Sequence, residues 1–203
     1  MKLYNENMPA PNPRRVRIYL AEKGIEVPLA HIDMMKRQHK EPEFIAKNSL
    51  GQIPALELDD GTVIAESVSI CRYFEVLHPE RPLFGATALE VARIDMWLRR
   101  VEFVIMTPIG NFWRHAHPRT AKLLKQFNDF GESNREASVR SLHWLDRELA
   151  GRDFIAGDSY SMADITMLCS IDFGGFVGLG IPDDCANVKA WHARVSARPS
   201  ATA

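Results

Sequence analysis

Strand-forming patterns in this 203-residue chain stop near residue 80, and long helical periods take over. A change of that kind asks for two structural units, one mixed and one helical, joined by a connecting segment. In the first part the period switches repeatedly. Lys2 to Asn5 is a short strand pattern, followed by the proline-rich loop Pro9-Ala10-Pro11-Asn12-Pro13. Val16, Ile18, Tyr19, Leu20 and Ile25 then recur at near-helical spacing, with Gly24 at the expected stop. Val27 to Asp33 is a second strand pattern, and Glu41 to Lys47 opens a helix with Pro42 in its first turn. Pro54 to Leu58 and Thr62 to Ala65 alternate across Asp59-Asp60-Gly61, a turn that joins antiparallel strands. Ser67 to Leu77 closes the series as a helix, so the order is β-α-β-α-β-β-α.

His78 to Thr87 carries two prolines and a glycine and reads as a connection. The chain therefore divides into a mixed domain over 1–78, a linker over 79–87 and an all-helical domain over 88–203. The helical patterns run over about 88–115, 119–149, 161–173 and 187–197, and Phe173-Gly174-Gly175-Phe176 interrupts the third.

Hydrophobic residues make up 46% and charged residues 25%, the balance of a folded chain rather than a disordered one. Lys plus Arg (25) nearly cancels Asp plus Glu (26), so no global field attracts nucleic acid or an anionic membrane. Charged residues break every apolar run before the roughly 18 residues a membrane span needs. The segment MKLYNENMPAPNP has no apolar stretch of secretory length, and the expectation is a cytoplasmic protein. Cys71, Cys169 and Cys185 are widely spaced with no CxxC, which argues against a disulfide framework or a zinc site. HExxH, GxGxxG and GxxxxGK[ST] are absent, leaving metalloprotease, dinucleotide and P-loop readings without support.

The most informative segment is Ser49-Leu50-Gly51-Gln52-Ile53-Pro54-Ala55-Leu56, with Glu66-Ser67 following the hairpin. Proline at the head of a strand donates no ladder bond, so the position is an edge, a bulge or a cis turn. A cis bond would turn the Ile53 backbone outward to face an extended peptide. Glu66-Ser67 at the start of the next helix adds a hydroxyl and free N–H groups, which suit a carboxylate. In this order and spacing, Ile53-Pro54, Glu66-Ser67 and the later Gly157-Asp158-Ser159-Tyr160-Ser161-Met162-Ala163-Asp164 resemble the cytosolic glutathione transferases over nearly the whole chain. In that last segment Ser161 and Asp164 form an S-x-x-D capping box.

The resemblance implies a thioredoxin-like N-terminal domain, an all-α C-terminal domain and a homodimer. It further implies glutathione as co-substrate, no metal, and a hydrophobic electrophile or a disulfide as second substrate. Glu66 and Ser67 would hold the γ-glutamyl end, and Ile53, beside Pro54, would pair with the cysteinyl part. His39 or Lys40 would reach the glycine carboxylate, and Gln52 would add a side-chain contact. Met106, Phe112 and Trp113 are candidates for the co-substrate pocket.

The chain departs from the family where the thiol must be activated. Counting back from Val16, Ala10 stands where serine is usual and Asn12 where cysteine is usual. Asn12 can substitute, because its amide donates and a helix N-terminus favours a thiolate. The alternatives are that Asn12 caps the helix or that Tyr4 is the donor. Cys71 and Cys169 read as small buried hydrophobes. A different class of protein also fits: a non-catalytic member using the scaffold for ligand binding or interaction.

Overall fold

The computed structural model describes residues 1–6 and 10–203; Pro9 of the proline-rich loop lies outside the described residues. The chain forms two compact units, Met1–Pro82 together with Thr202–Ala203, and Leu83–Ala201.

The first unit is built on a four-stranded sheet. Its strands are β1 (Lys2–Asn5), β2 (Leu29–His31), β3 (Ala55–Glu57) and β4 (Val63–Ala65), in spatial order β2-β1-β3-β4. β1 runs parallel to β2 and antiparallel to β3, which pairs antiparallel with β4. Successive side chains of a strand point to opposite faces, and the register places Leu3 opposite Leu56 and Tyr4 opposite Ala55. Leu3 and Leu56 are buried with Val16, Ile18, Ile70 and Phe74 from α1 (Pro11–Lys23) and α3 (Ser67–Leu77). Tyr4 and Ala55 cluster on the other face with Ile53 and with Phe44 of α2 (Pro42–Ile45). The second strand is shorter than the expected 27–33. Gly24 ends α1 in the left-handed region, at φ 67°, as its place in the sequence predicts.

The second unit is helical: α4 (Ala88–Arg100), α5 (Thr107–His115), α6 (Asn128–Glu148), α7 (Met162–Phe176) and α8 (Ala186–Ser196). Three expectations about the helices need correction. The predicted helix over 88–115 widens into a π-helical stretch at Val101–Met106, directly before Pro108. Proline supplies no N–H to the preceding turn, and here the Thr107 N–H reaches back five residues to the Glu102 carbonyl, joined by the Thr107 hydroxyl at 2.8 Å. The predicted helix over 119–149 begins only at Asn128, because the amide of Gln126 donates to the His117 carbonyl (2.9 Å) and the Thr120 hydroxyl (3.0 Å), closing a loop. Nor do Gly174-Gly175 interrupt α7, which continues to Phe176; a side chain at Gly174 would come within 2.9 Å of the Leu179 carbonyl.

α7 is buried on nearly every side from Met162 to Ile171, as the central helix of a bundle must be. Its start is held by Asp164, whose Oδ1 accepts from the Ile155 N–H (3.0 Å) and from Trp191 Nε1 on α8 (2.9 Å). Oδ2 accepts from the N–H and the hydroxyl of Ser161, each at 3.0 Å. Burial pushes this carboxyl above its usual range, and the four donors oppose that shift. Asp164→Asn keeps the shape but sets an NH2 group against at least one N–H donor in either orientation. We expect it to cost about 2 to 4 kcal/mol in denaturant unfolding. A change within about 0.5 kcal/mol would contradict this account.

Candidate functional site

In the first unit, Asn12, Asn48, Gln52, Ile53, Pro54, Glu66 and Ser67 line one shallow cleft. Three pieces of chain deliver them: the mouth of α1, the loop after α2 and the mouth of α3.

The loop is braced from below. Asn48, 8% exposed, donates through Nδ2 to the Gln52 carbonyl (2.8 Å), and its Oδ1 accepts from the Leu50 N–H (3.3 Å). Lys40 Nζ donates to the carbonyls of Leu50 (3.0 Å) and Gly51 (2.8 Å). Gly51 adopts φ +55°, and an added Cβ would lie 2.6 Å from the His39 carbonyl oxygen and 2.5 Å from Ile45 Cδ1. The Ile53-Pro54 bond is cis. The ladder of β3 starts only at Ala55, so the N–H and C=O of Ile53 stand outside it while the side chain is buried beside Tyr4 and Phe44.

At the mouth of α3, Glu66 sits at φ 67° and ψ 119°, a sparsely populated region for a residue with a side chain. Strain of this kind costs on the order of 1–3 kcal/mol and persists where the surroundings enforce it, often at functional sites. The first helical bond here runs from the Ile70 N–H to the Glu66 carbonyl (2.9 Å), so the N–H groups of Ser67, Val68 and Ser69 precede it. Ser67 is 5% exposed, and its Oγ accepts from Arg15 Nη1 at 3.5 Å. The mouth thus offers donors and a nearby cation to a carboxylate, while the exposed Glu66 offers an anion to an ammonium. These are the two needs of an amino-acid head group.

The mouth of α1 is organised differently. Its N-cap is Ala10, which makes no side-chain cap bond, and Asn12 is the second helical residue. The capping alternative for Asn12 is therefore incorrect. Pro11 and Pro13 have no N–H, and the first helical bond runs from the Arg14 N–H to the Ala10 carbonyl (3.4 Å). Asn12 alone supplies a backbone donor in this turn, and its carboxamide is exposed at the cleft.

Other predicted residues lie elsewhere. Neither His39 nor Lys40 lines the cleft. Burial, with Lys40 and Arg37 nearby, pushes the His39 imidazole below its usual pKa, which favours the uncharged ring. Lys40 serves as the brace of the loop. The Tyr4 hydroxyl donates to Glu57 Oε2, where Lys47 also donates, and Glu57 is held down to about 2. Tyr4 is thus engaged away from the cleft. Cys71 and Cys169 are buried. Sequence reasoning missed Asn48 and Arg15, whose roles depend on loop closure and helix pairing that no local pattern records.

In the second unit the Trp113 ring lies 4.7 Å from His117, 5.7 Å from Phe173 and 6.2 Å from Phe176, between ring centres. Trp113 and Met106 are half-buried. Phe112 is 2% exposed with the Arg135 guanidinium 4.3 Å above its ring, so it belongs to the packed interior.

A β-α-β-α-β-β-α unit with a cis-proline before its third strand and a serine-headed helix beside it defines a thioredoxin-type domain suited to a peptide thiol. Residues 10–77 match the glutathione S-transferase N-terminal domain and residues 115–199 match the glutathione S-transferase C-terminal domain. Glutathione S-transferase 2 of Saccharomyces cerevisiae is 40% identical over 94% of this chain and 83% of its own. The crystal structure of Gtt2 from Saccharomyces cerevisiae superposes with a TM-score of 0.91 at 38% identity, covering 98% of both chains. Elongation factor 1-gamma 1 of Oryza sativa subsp. japonica is 32% identical over 74% of this chain but only 35% of its own length. The chain belongs to the glutathione S-transferase family.

The close packing at Gly51 generates a test. Gly51→Ala meets both a left-handed φ and a backbone oxygen, so the loop carrying Gln52 and Ile53 must move. Calorimetry should show glutathione affinity falling at least about tenfold, or about 1.4 kcal/mol. Unchanged affinity would show that the loop's position is immaterial to binding.

Proposed function

We propose that this protein is a glutathione transferase that binds glutathione in the cleft of its first unit and uses the thiolate against a hydrophobic electrophile or a disulfide. The observation that carries this reading is the convergence of Ile53, Glu66-Ser67 and the Asn12 helix mouth on one cleft. The γ-glutamyl carboxylate meets the Ser67 hydroxyl and the first-turn N–H groups of α3, and its ammonium meets Glu66. The cysteinyl amide pairs with the N–H and C=O of Ile53, which orients the sulfur toward α1. Gln52 contacts the ligand from the loop.

A free thiol near pKa about 8.5 is mostly protonated at neutral pH, so turnover needs the thiolate stabilised. Asn12 supplies that stabilisation through its carboxamide and its N–H, aided by the α1 dipole. The thiol proton passes to solvent. The sulfur then forms a C–S bond with an electrophilic carbon while the leaving group departs with its electron pair. Alternatively it forms an S–S bond with one disulfide sulfur and expels the other as thiolate. Met106 and Trp113 are the proposed co-substrate contacts. The working form is a homodimer in the cytoplasm; no described helix is long and apolar enough to cross a membrane.

The similarity to Elongation factor 1-gamma 1, together with alanine at position 10, favours a second reading in which the scaffold binds without turnover. A glutathione-agarose pull-down with chloronitrobenzene and hydroxyethyl disulfide assays separates conjugation, disulfide reduction and binding alone.

Two mutant series test the assigned roles. Ser67→Ala should weaken glutathione binding by about 1.5 to 3 kcal/mol, the value of a hydrogen bond to a charged group, and Glu66→Gln should weaken it too. Wild-type affinity in both would leave Ser67 and Glu66 with a local structural role only. Asn12→Ala should cut turnover about tenfold to a hundredfold while binding changes little. It should also raise the pKa of the bound thiol, followed by thiolate absorbance against pH. Asn12→Asp places a negative charge beside the sulfur and should suppress the thiolate further. Superimposable titrations for all three proteins would eliminate Asn12 as the activator.

A further inference from the structure

Away from the cleft, in the helical unit, three metal-ligating side chains converge. His143 lies on α6, Asp184 and Cys185 form the turn entering α8, and their ligand atoms all lie within 4.8 Å of one another. Nε2 of His143 is 3.1 and 3.0 Å from the two carboxylate oxygens of Asp184. Its Nδ1 is 3.0 Å from the Val139 carbonyl. A carbonyl can only accept, so Nδ1 carries the hydrogen and donates it, and Nε2 faces an anion. Two such groups cohere only around a shared cation, a proton or a metal ion. Donation of the second ring N–H to a backbone carbonyl is also the arrangement that orients histidines toward metals.

We propose that His143, Asp184 and Cys185 form a binding site for a borderline-soft divalent cation of the zinc class, with its fourth position open to water. An imidazole nitrogen, a carboxylate oxygen and a thiolate sulfur are zinc donors, whereas magnesium and calcium take oxygen. Tetrahedral zinc sets its ligand atoms about 3.3 to 3.6 Å apart. The His143–Asp184 separation is already close to this, and Cys185 Sγ lies within 4.8 Å of both ligand atoms. Charge favours the site as well: one thiolate and one carboxylate neutralise a divalent ion, so no net charge is placed beside the buried Cys185. Asp184 is exposed and His143 half-buried, which leaves an entry path.

Metal uptake exchanges the Cys185 S–H bond for an S–metal bond and releases that proton to solvent. The bound ion ties α6 to the start of α8 within one unit and stabilises the fold by mass action.

Cobalt(II) is the probe, added to the full chain without glutathione. The expected result is thiolate-to-cobalt charge-transfer absorption with the visible bands of tetrahedral cobalt, both reversed by zinc(II). His143→Gln, Asp184→Asn and Cys185→Ser should each weaken cobalt binding at least about tenfold, while Cys169→Ala leaves it unchanged. His143→Gln and Asp184→Asn alter accessible side chains, so thermal unfolding should show both folded. Absence of the charge-transfer band in the wild type would overturn the site, as would a band that survives Cys185→Ser. A band lost only in Cys185→Ser would also overturn it, because a single cysteine would then be the ligand.

Discussion

A helix begins with N–H groups that its own backbone cannot satisfy, and in this protein two helix mouths turn that shortfall toward the same cleft. α3 presents the N–H groups of Ser67, Val68 and Ser69, backed by the Arg15 guanidinium. α1 presents a single backbone donor, because proline stands on either side of Asn12. Among the described residues the cleft carries one carboxylate, that of Glu66, beside these donors. The strained backbone at Glu66 lies at the same helix mouth, between the end of β4 at Ala65 and the start of α3 at Ser67.

The donors are useful only if the intervening loop holds its shape, and that shape depends on two side chains, Lys40 outside the cleft and Asn48 in its wall. Lys40 gathers two carbonyls and Asn48 ties one carbonyl and one N–H, so four polar backbone groups between Leu50 and Gln52 are satisfied locally. Gly51 makes the close approach possible. With the loop closed, Ile53 can bury its side chain against Tyr4 and Phe44 and still leave its backbone outside the β3 ladder. One residue thereby serves the core and the wall of the cleft at once.

Much of this was legible in the sequence because it is local. Period changes reveal the strand and helix order, Gly24 marks a helix end, and Ile53-Pro54 and Glu66-Ser67 identify two walls of the cleft. Illegible were features set by partners distant in sequence. Lys40 looks like a surface charge until Leu50 and Gly51 fold over it, and Asn48 looks like a loop residue until its amide finds Gln52. Asn12 reads equally as a cap or a donor, and only the backbone shows that Ala10 holds the cap position. The helical half misled for a different reason: amphipathic periods continue across Val101–Met106 and Ala121–Phe127, so periodicity alone misses a π-helical widening and a hydrogen-bonded loop. His143 and Asp184-Cys185 are about forty residues apart, and no spacing rule for metal ligands joins them.

The division of labour in the cleft bears on how such a scaffold can change its use. In the proposed binding mode, head-group recognition rests on α3, Arg15 and the braced loop, where Ser67, Arg15 and Asn48 are buried. The proposed thiol activation rests on the mouth of α1, where Ala10 makes no side-chain cap bond and Asn12 is exposed. Substitution there disturbs no core packing and removes no cap bond, so the chemistry at the sulfur can vary while glutathione recognition stays constant. On the proposed reading, that separation would let the activating residue vary at this loop, where asparagine stands here. It also explains how a likeness to proteins named as transferases and to one named as an elongation factor can coexist in a single sequence. The walls of the cleft are built by contacts that folding also uses, whereas the exposed Asn12, the proposed activator, is left unconstrained by the core.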